Sequence, residues 1–142
     1  MKRTLRSIAA LAALLLLADT SMAAKEVHPS CGPPGTWCSL GKVTASRDRD
    51  HDTIVIKGSD DEFRALKFKV KDSPINIHRM VVTYDNGARE EINTRNEIPK
   101  GGESRNIDLR GSGKRSLKKV EFWYDSTGLL NGKADVKLFG LR

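Results

Sequence analysis

The feature that most constrains this fold is an alternation of apolar and polar residues with a period of two. In LKFKVKD, apolar Leu66, Phe68 and Val70 alternate with Lys67, Lys69 and Lys71. In KKVEFWYD, Val120, Phe122 and Tyr124 alternate with Lys119, Glu121 and Trp123. KADVKLFG turns Ala134, Val136 and Leu138 to one side. Successive side chains of a strand point to opposite faces, so each segment reads as a half-buried strand. The shorter runs TIVIKG and SRNIDLRG end on glycine and read as strands as well. Beyond residue 23 no window carries an apolar stripe at helical spacing for three turns, which predicts an all-β chain.

The segment HRMVVTYDNGAREEIN contains Asn-Gly between alternating runs, the signature of a hairpin. A two-residue loop would set Tyr84 opposite Arg89 and Met80 opposite Asn93, mixing the faces. A three-residue loop, Asp85-Asn86-Gly87, sets Tyr84 opposite Ala88 and Met80 opposite Ile92, leaving only Val82 opposite Glu90 mismatched. It also gives Gly87 the left-handed position such a loop needs. Because a slip of one residue turns every side chain to the other face, the three-residue loop is the expected one. About eight or nine short strands follow from Trp37, with turns every 8–14 residues or so. That spacing predicts a single antiparallel β-sandwich of jelly-roll type.

The first 23 residues differ from the rest. MKRTLR is basic, SIAALAALLLLA is apolar, and Ser21 and Ala23 are small residues at the positions a leader peptidase reads. The apolar run falls short of the ~20 residues of a bilayer span, so a cleaved signal peptide is expected, cut after Ala23. The expected organisation is therefore a signal peptide over 1–23, an N-terminal arm with a disulfide turn over 24–36, and the sandwich over 37–142. Removing the leader takes away Lys2, Arg3, Arg6 and Asp19, so net charge falls from +7 to about +5. The expected location is periplasmic or secreted, with no transmembrane segment in the mature chain.

Cys31 and Cys38 lie in CGPPGTWC. In an oxidising compartment two cysteines in a short Gly/Pro-rich turn close on each other, contributing roughly 2–3 kcal/mol. Six intervening residues do not make a redox motif, and a metal site would need ligands beyond His28.

The succession of segments from about Leu40 to Gly140, including DTIVI, LKFKV, VTY.NG, IDL.G, VEFWY and LFG, resembles small exported bacterial β-sandwich domains of uncharacterised function. The resemblance implies the fold and an exported setting. It implies no activity and no assigned site.

Three groups of residues bear on chemistry. Asp48, Asp50 and Asp52 alternate in SRDRDHDTIVIKG, and Asp60, Asp61 and Glu62 follow the short strand. An EF-hand counted from Asp48 would need glycine where Thr53 stands and glutamate where Ser59 stands. A charged turn is the primary reading, and a calcium loop the alternative. Catalysis finds little support: His28, His51 and His78 have no evident partner, and His78, beside Ile77, reads as a partly buried strand residue. There is no phosphate loop and no nucleophile elbow. The expectation is a chain without enzymatic activity and without a cofactor.

Binding has more behind it. Lys67, Lys69 and Lys71 form a ridge along one strand face, and Lys114, Arg115, Lys118 and Lys119 form a second cluster. On one face they would suit an anionic polysaccharide or another envelope polyanion, with Trp123 stacking on a sugar ring. A structural role, or pairing with an envelope protein, is the alternative. No reading helix or RNA-binding signature supports sequence-specific nucleic-acid binding.

Overall fold

The computed structural model describes residues 24–142 apart from residues 94, 95, 112 and 114; the expected leader lies outside them. The described residues form eleven strands and no helix. Accordingly, no helix among them is long and apolar enough to cross a membrane. β1 (Lys25–Val27), β2 (Trp37–Ser46), β3 (His51–Ile56), β4 (Glu62–Phe63) and β5 (Ala65–Lys71) make the first half. β6 (Ile75–Tyr84), β7 (Arg89–Ile92), β8 (Asn96–Ile98), β9 (Ile107–Asp108), β10 (Arg115–Tyr124) and β11 (Lys133–Leu141) complete it.

Two sheets face each other. The larger runs β1-β3-β10-β6-β7, with β4 also pairing β10 and β8 also pairing β6; the smaller runs β2-β11-β5-β9. All named pairings are antiparallel except β1 with β3. β1, β4 and β8 have only two or three residues, too few to show a period, and so the count exceeds the eight or nine expected; β9 is the short centre of the expected SRNIDLRG strand. The segment expected to be an arm supplies an edge strand: β1 pairs in register with Ile54, Val55 and Ile56.

The alternation decides what is buried. From the larger sheet Ile54, Ile77, Met80, Val82, Val120 and Phe122 turn inward. From the smaller sheet Leu40, Leu66, Phe68, Val70, Val136 and Leu138 meet them. The rings of Phe68 and Phe122 meet across the sandwich with centroids 5.1 Å apart, tilted by 60°. Burying each such side chain contributes about 1.5–3 kcal/mol. Gly140 sits where β11 passes under Phe63 and Leu40; a Cβ there would lie 2.5 Å from the Phe63 ring.

The hairpin has the expected register. Met80 opposes Ile92 and Val82 opposes Glu90. The Tyr84 N–H donates to Ala88 O at 2.9 Å, and Gly87 has φ of 85°. The mismatched Glu90 is buried and accommodated. Its carboxylate accepts the Arg110 N–H at 3.1 and 3.2 Å and the Tyr84 hydroxyl at 3.4 Å. Burial, then the Glu90 charge, pushes the Tyr84 hydroxyl up to about 12.

Cys31 and Cys38 form the expected disulfide, with Cα atoms 5.2 Å apart. The turn they close is held to the β3–β4 loop, where Asp60 Oδ2 accepts the Cys31 N–H at 3.1 Å.

Candidate functional site

β5 places Lys67, Lys69 and Lys71 on the outer face of the smaller sheet, because Leu66, Phe68 and Val70 fill the inner one. Strand pairing then adds lysines that lie far away in sequence. Lys137 of β11 lies opposite Lys69, and Lys42 of β2 lies opposite Lys137. Lys42, Lys137 and Lys69 thus form a row across three adjacent strands. With strands about 4.8 Å apart, the row spans roughly 10 Å. Like charges directly opposite one another repel, so the arrangement is unfavourable unless anions offset it.

The same pairing sets Asp135 opposite Lys71 and Glu103 opposite Lys69, but both acids pair with other lysines. Lys42 lies 3.7 Å from Asp135, and Lys67 lies 3.5 Å from Glu103. Among the described residues Lys69, Lys71 and Lys137 have no carboxylate within ion-pair distance. Lys69 is exposed, as are Lys71 and Lys137.

Aromatic surface adjoins the row. Trp37 and Phe139 are half-buried on the same face. The Lys67 ammonium lies 4.3 Å from the centroid of Trp37 and 6.0 Å from that of Phe139. Lys67 is thereby engaged by two rings and a carboxylate, and its neighbours along β5 are left to meet solvent.

The second basic cluster lies elsewhere. Arg115, Lys118 and Lys119 belong to β10 in the larger sheet, so they do not share a face with the β5 lysines. Lys114 lies outside the described residues. Arg115 stacks on Tyr84, its guanidinium carbon 3.6 Å from the ring centroid, and donates to Arg110 O at 2.9 Å. Lys119 lies 3.2 Å from Glu121, whereas Lys118 is exposed.

Trp123 points outward, yet its ring faces are covered. The two flanking strands place flat groups directly opposite it, His51 from β3 and Arg79 from β6. His51 stacks at 4.3 Å with 9° between planes, and the Arg79 guanidinium lies 4.3 Å from the Trp123 centroid. Arg79 donates to Glu91 Oε1 at 2.7 Å, and His51 Nε2 lies 3.4 Å from Glu121 Oε2. The ladder leaves no free Trp123 face for a sugar. His78, read from sequence as partly buried, is exposed. It is the extra residue of a bulge, since Tyr124 pairs with Ile77 while Trp123 pairs with Arg79.

The three alternate aspartates diverge. Asp48 and Asp50 are exposed in the turn before β3, whereas Asp52 points into the sandwich and accepts the Tyr124 hydroxyl at 2.9 Å. Burial pushes Asp52 above its ordinary range against the opposing pull of that hydrogen bond and of Arg49. Among the described residues no group of three His, Cys, Asp or Glu side chains is placed to hold a metal ion.

Sequence reasoning therefore found Lys69 and Lys71 and missed Lys42, Lys137, Trp37 and Phe139. Lys137 alternates outward in KADVKLFG as visibly as the β5 lysines do. What the sequence lacks is the pairing that sets it between Lys42 and Lys69.

Among solved structures, the chain is similar to that of AlgX from Pseudomonas aeruginosa, with 12% identity and a TM-score of 0.48. The match covers 71% of this chain and 26% of that one, so the chain spans about a quarter of that protein's length. At that level the likeness carries no argument. Comparison with curated proteins finds no match. A family profile described as a domain of unknown function matches residues 9–140. The chain belongs to that family, DUF2541.

Proposed function

We propose that this chain is an exported, non-catalytic module that binds an anionic polysaccharide on the outer face of its smaller sheet. The observation that carries the reading is the row Lys42, Lys137 and Lys69, in which the last two have no carboxylate within ion-pair distance among the described residues. An anionic chain laid across the row would place negative groups between ammonium groups that otherwise repel. Lysine heads are flexible point charges, suited to carboxylate or sulfate without the fixed fork geometry of arginine. Trp37 and Phe139 offer half-exposed rings against which the apolar face of a sugar can pack. The leader-like first 23 residues and the Cys31–Cys38 disulfide support a periplasmic or secreted setting.

The test is titration of the mature protein with polygalacturonate and with heparin, against neutral dextran, at low and high salt. Expected are binding to both polyanions, at least tenfold weakening at high salt, and loss of binding in the double variant K69E/K137E. Equal binding of dextran, or polyanion binding untouched by the double charge reversal, would overturn the reading. A protein complex that survives high salt and maps to this face would replace it with the envelope-partner reading.

A further inference from the structure

The lysine row does not stop at the edge of its sheet. β2 is an outer strand of the smaller sheet, and across the open side of the sandwich it faces β1 and β3. Between them lies a cleft of about 670 Å³, whose lining includes Lys25, Glu26, Lys42, Arg49 and Asp52. Lys42 belongs both to this cleft and to the row.

The cleft carries more positive than negative charge. Lys25 pairs with Ile54, so its side chain leaves β1 on the side facing β2. Arg49 lies 3.8 Å from Asp52 and keeps about half its side chain in solvent, at 48% exposure. Asp52 is the less available partner, being buried and holding the Tyr124 hydroxyl at 2.9 Å. Glu26 also borders the cleft, but it pairs with Val55, so its carboxylate leaves β1 on the side away from β2. Under the proposed cut after Ala23, the new α-ammonium would belong to Ala24, itself part of the lining. Such an amine is largely protonated at neutral pH.

We infer that the cleft between β2 and the β1–β3 edge is a second subsite for the same anionic polysaccharide, reached over Lys42, with Lys25 and Arg49 as its cations. The inference rests on the proposed function of the neighbouring face. Its consequence is selection by length. A short oligomer covers the three-lysine row alone, whereas a longer one turns the sheet edge and engages both subsites as one multivalent ligand.

The experiment compares short and long oligogalacturonates on the mature protein by calorimetric titration. The expected affinity gain from short to long is about tenfold or more. K25A/R49A should abolish that gain and leave the short oligomer unaffected; R49K should retain it. Melting temperatures of all variants serve as the check that each is folded. A gain that persists in K25A/R49A overturns the cleft subsite while leaving the row in place. If neither oligomer binds the folded wild-type protein, the reading of the face fails, and the cleft subsite fails with it.

Discussion

Asp61 in the β3–β4 loop lies close enough to Asp85 of the hairpin turn for one carboxyl to shift the other. Burial, followed by the Asp85 hydrogen bond and its charge, raises Asp61 from 3.8 to about 6. A carboxyl whose pKa is higher folded than unfolded stabilises the fold fully below the unfolded value and loses that contribution as pH rises through the folded value. The contact therefore helps at about pH 4 and is lost by about pH 7. D61N, which keeps a neutral donor at every pH, should melt higher than wild type near neutrality by a degree or two. The difference should vanish near pH 4. A thermal-melt series across that window checks it, and an unchanged gap at both ends would contradict the shared proton. None of this was legible in GSDDE, which shows acids but not which distant acid one of them meets. Trp123 teaches the same lesson. Its outward register was readable, but its covering by His51 and Arg79 depends on which strands flank β10.

At the level of elements the sequence was more informative. The period-two runs became β5, β10 and β11, with the expected residues inward. The hairpin register was readable because a slip of one residue would have exposed Met80 and buried charges on the wrong side. Even its one mismatch has a physical resolution, since Glu90 finds the Arg110 N–H and the Tyr84 hydroxyl inside. What could not be read were β1, β4 and β8, whose two or three residues are defined only by their neighbours, whereas β9 falls inside the SRNIDLRG run read as a strand. Gly140 was likewise hidden: LFG reads as a strand end, and only the packing of Phe63 and Leu40 shows why no side chain fits there. G140A should destabilise the protein by about 1–3 kcal/mol, seen as a lower denaturation midpoint at unchanged slope. A midpoint equal to that of wild type would show that the Phe63 ring moves aside without cost.

For the whole molecule, two sheets mean two outer faces with different characters. On the larger sheet, charges and rings are largely consumed by one another in the His51–Trp123–Arg79–Glu91 ladder and the Lys119–Glu121 pair. On the smaller sheet, Lys69, Lys71 and Lys137 are left without a carboxylate within ion-pair distance among the described residues. Which face a residue joins is a property of topology, and two basic segments that look equivalent in sequence end on opposite sides. The most direct measurement is NMR mapping of polygalacturonate onto the mature protein. The account predicts amide and lysine-side-chain shifts concentrated on β2, β5 and β11, around Lys42, Lys69 and Lys137, with Trp123 and the outer face of β10 unmoved. Shifts centred on Trp123, Arg115 and Lys119 instead would contradict it.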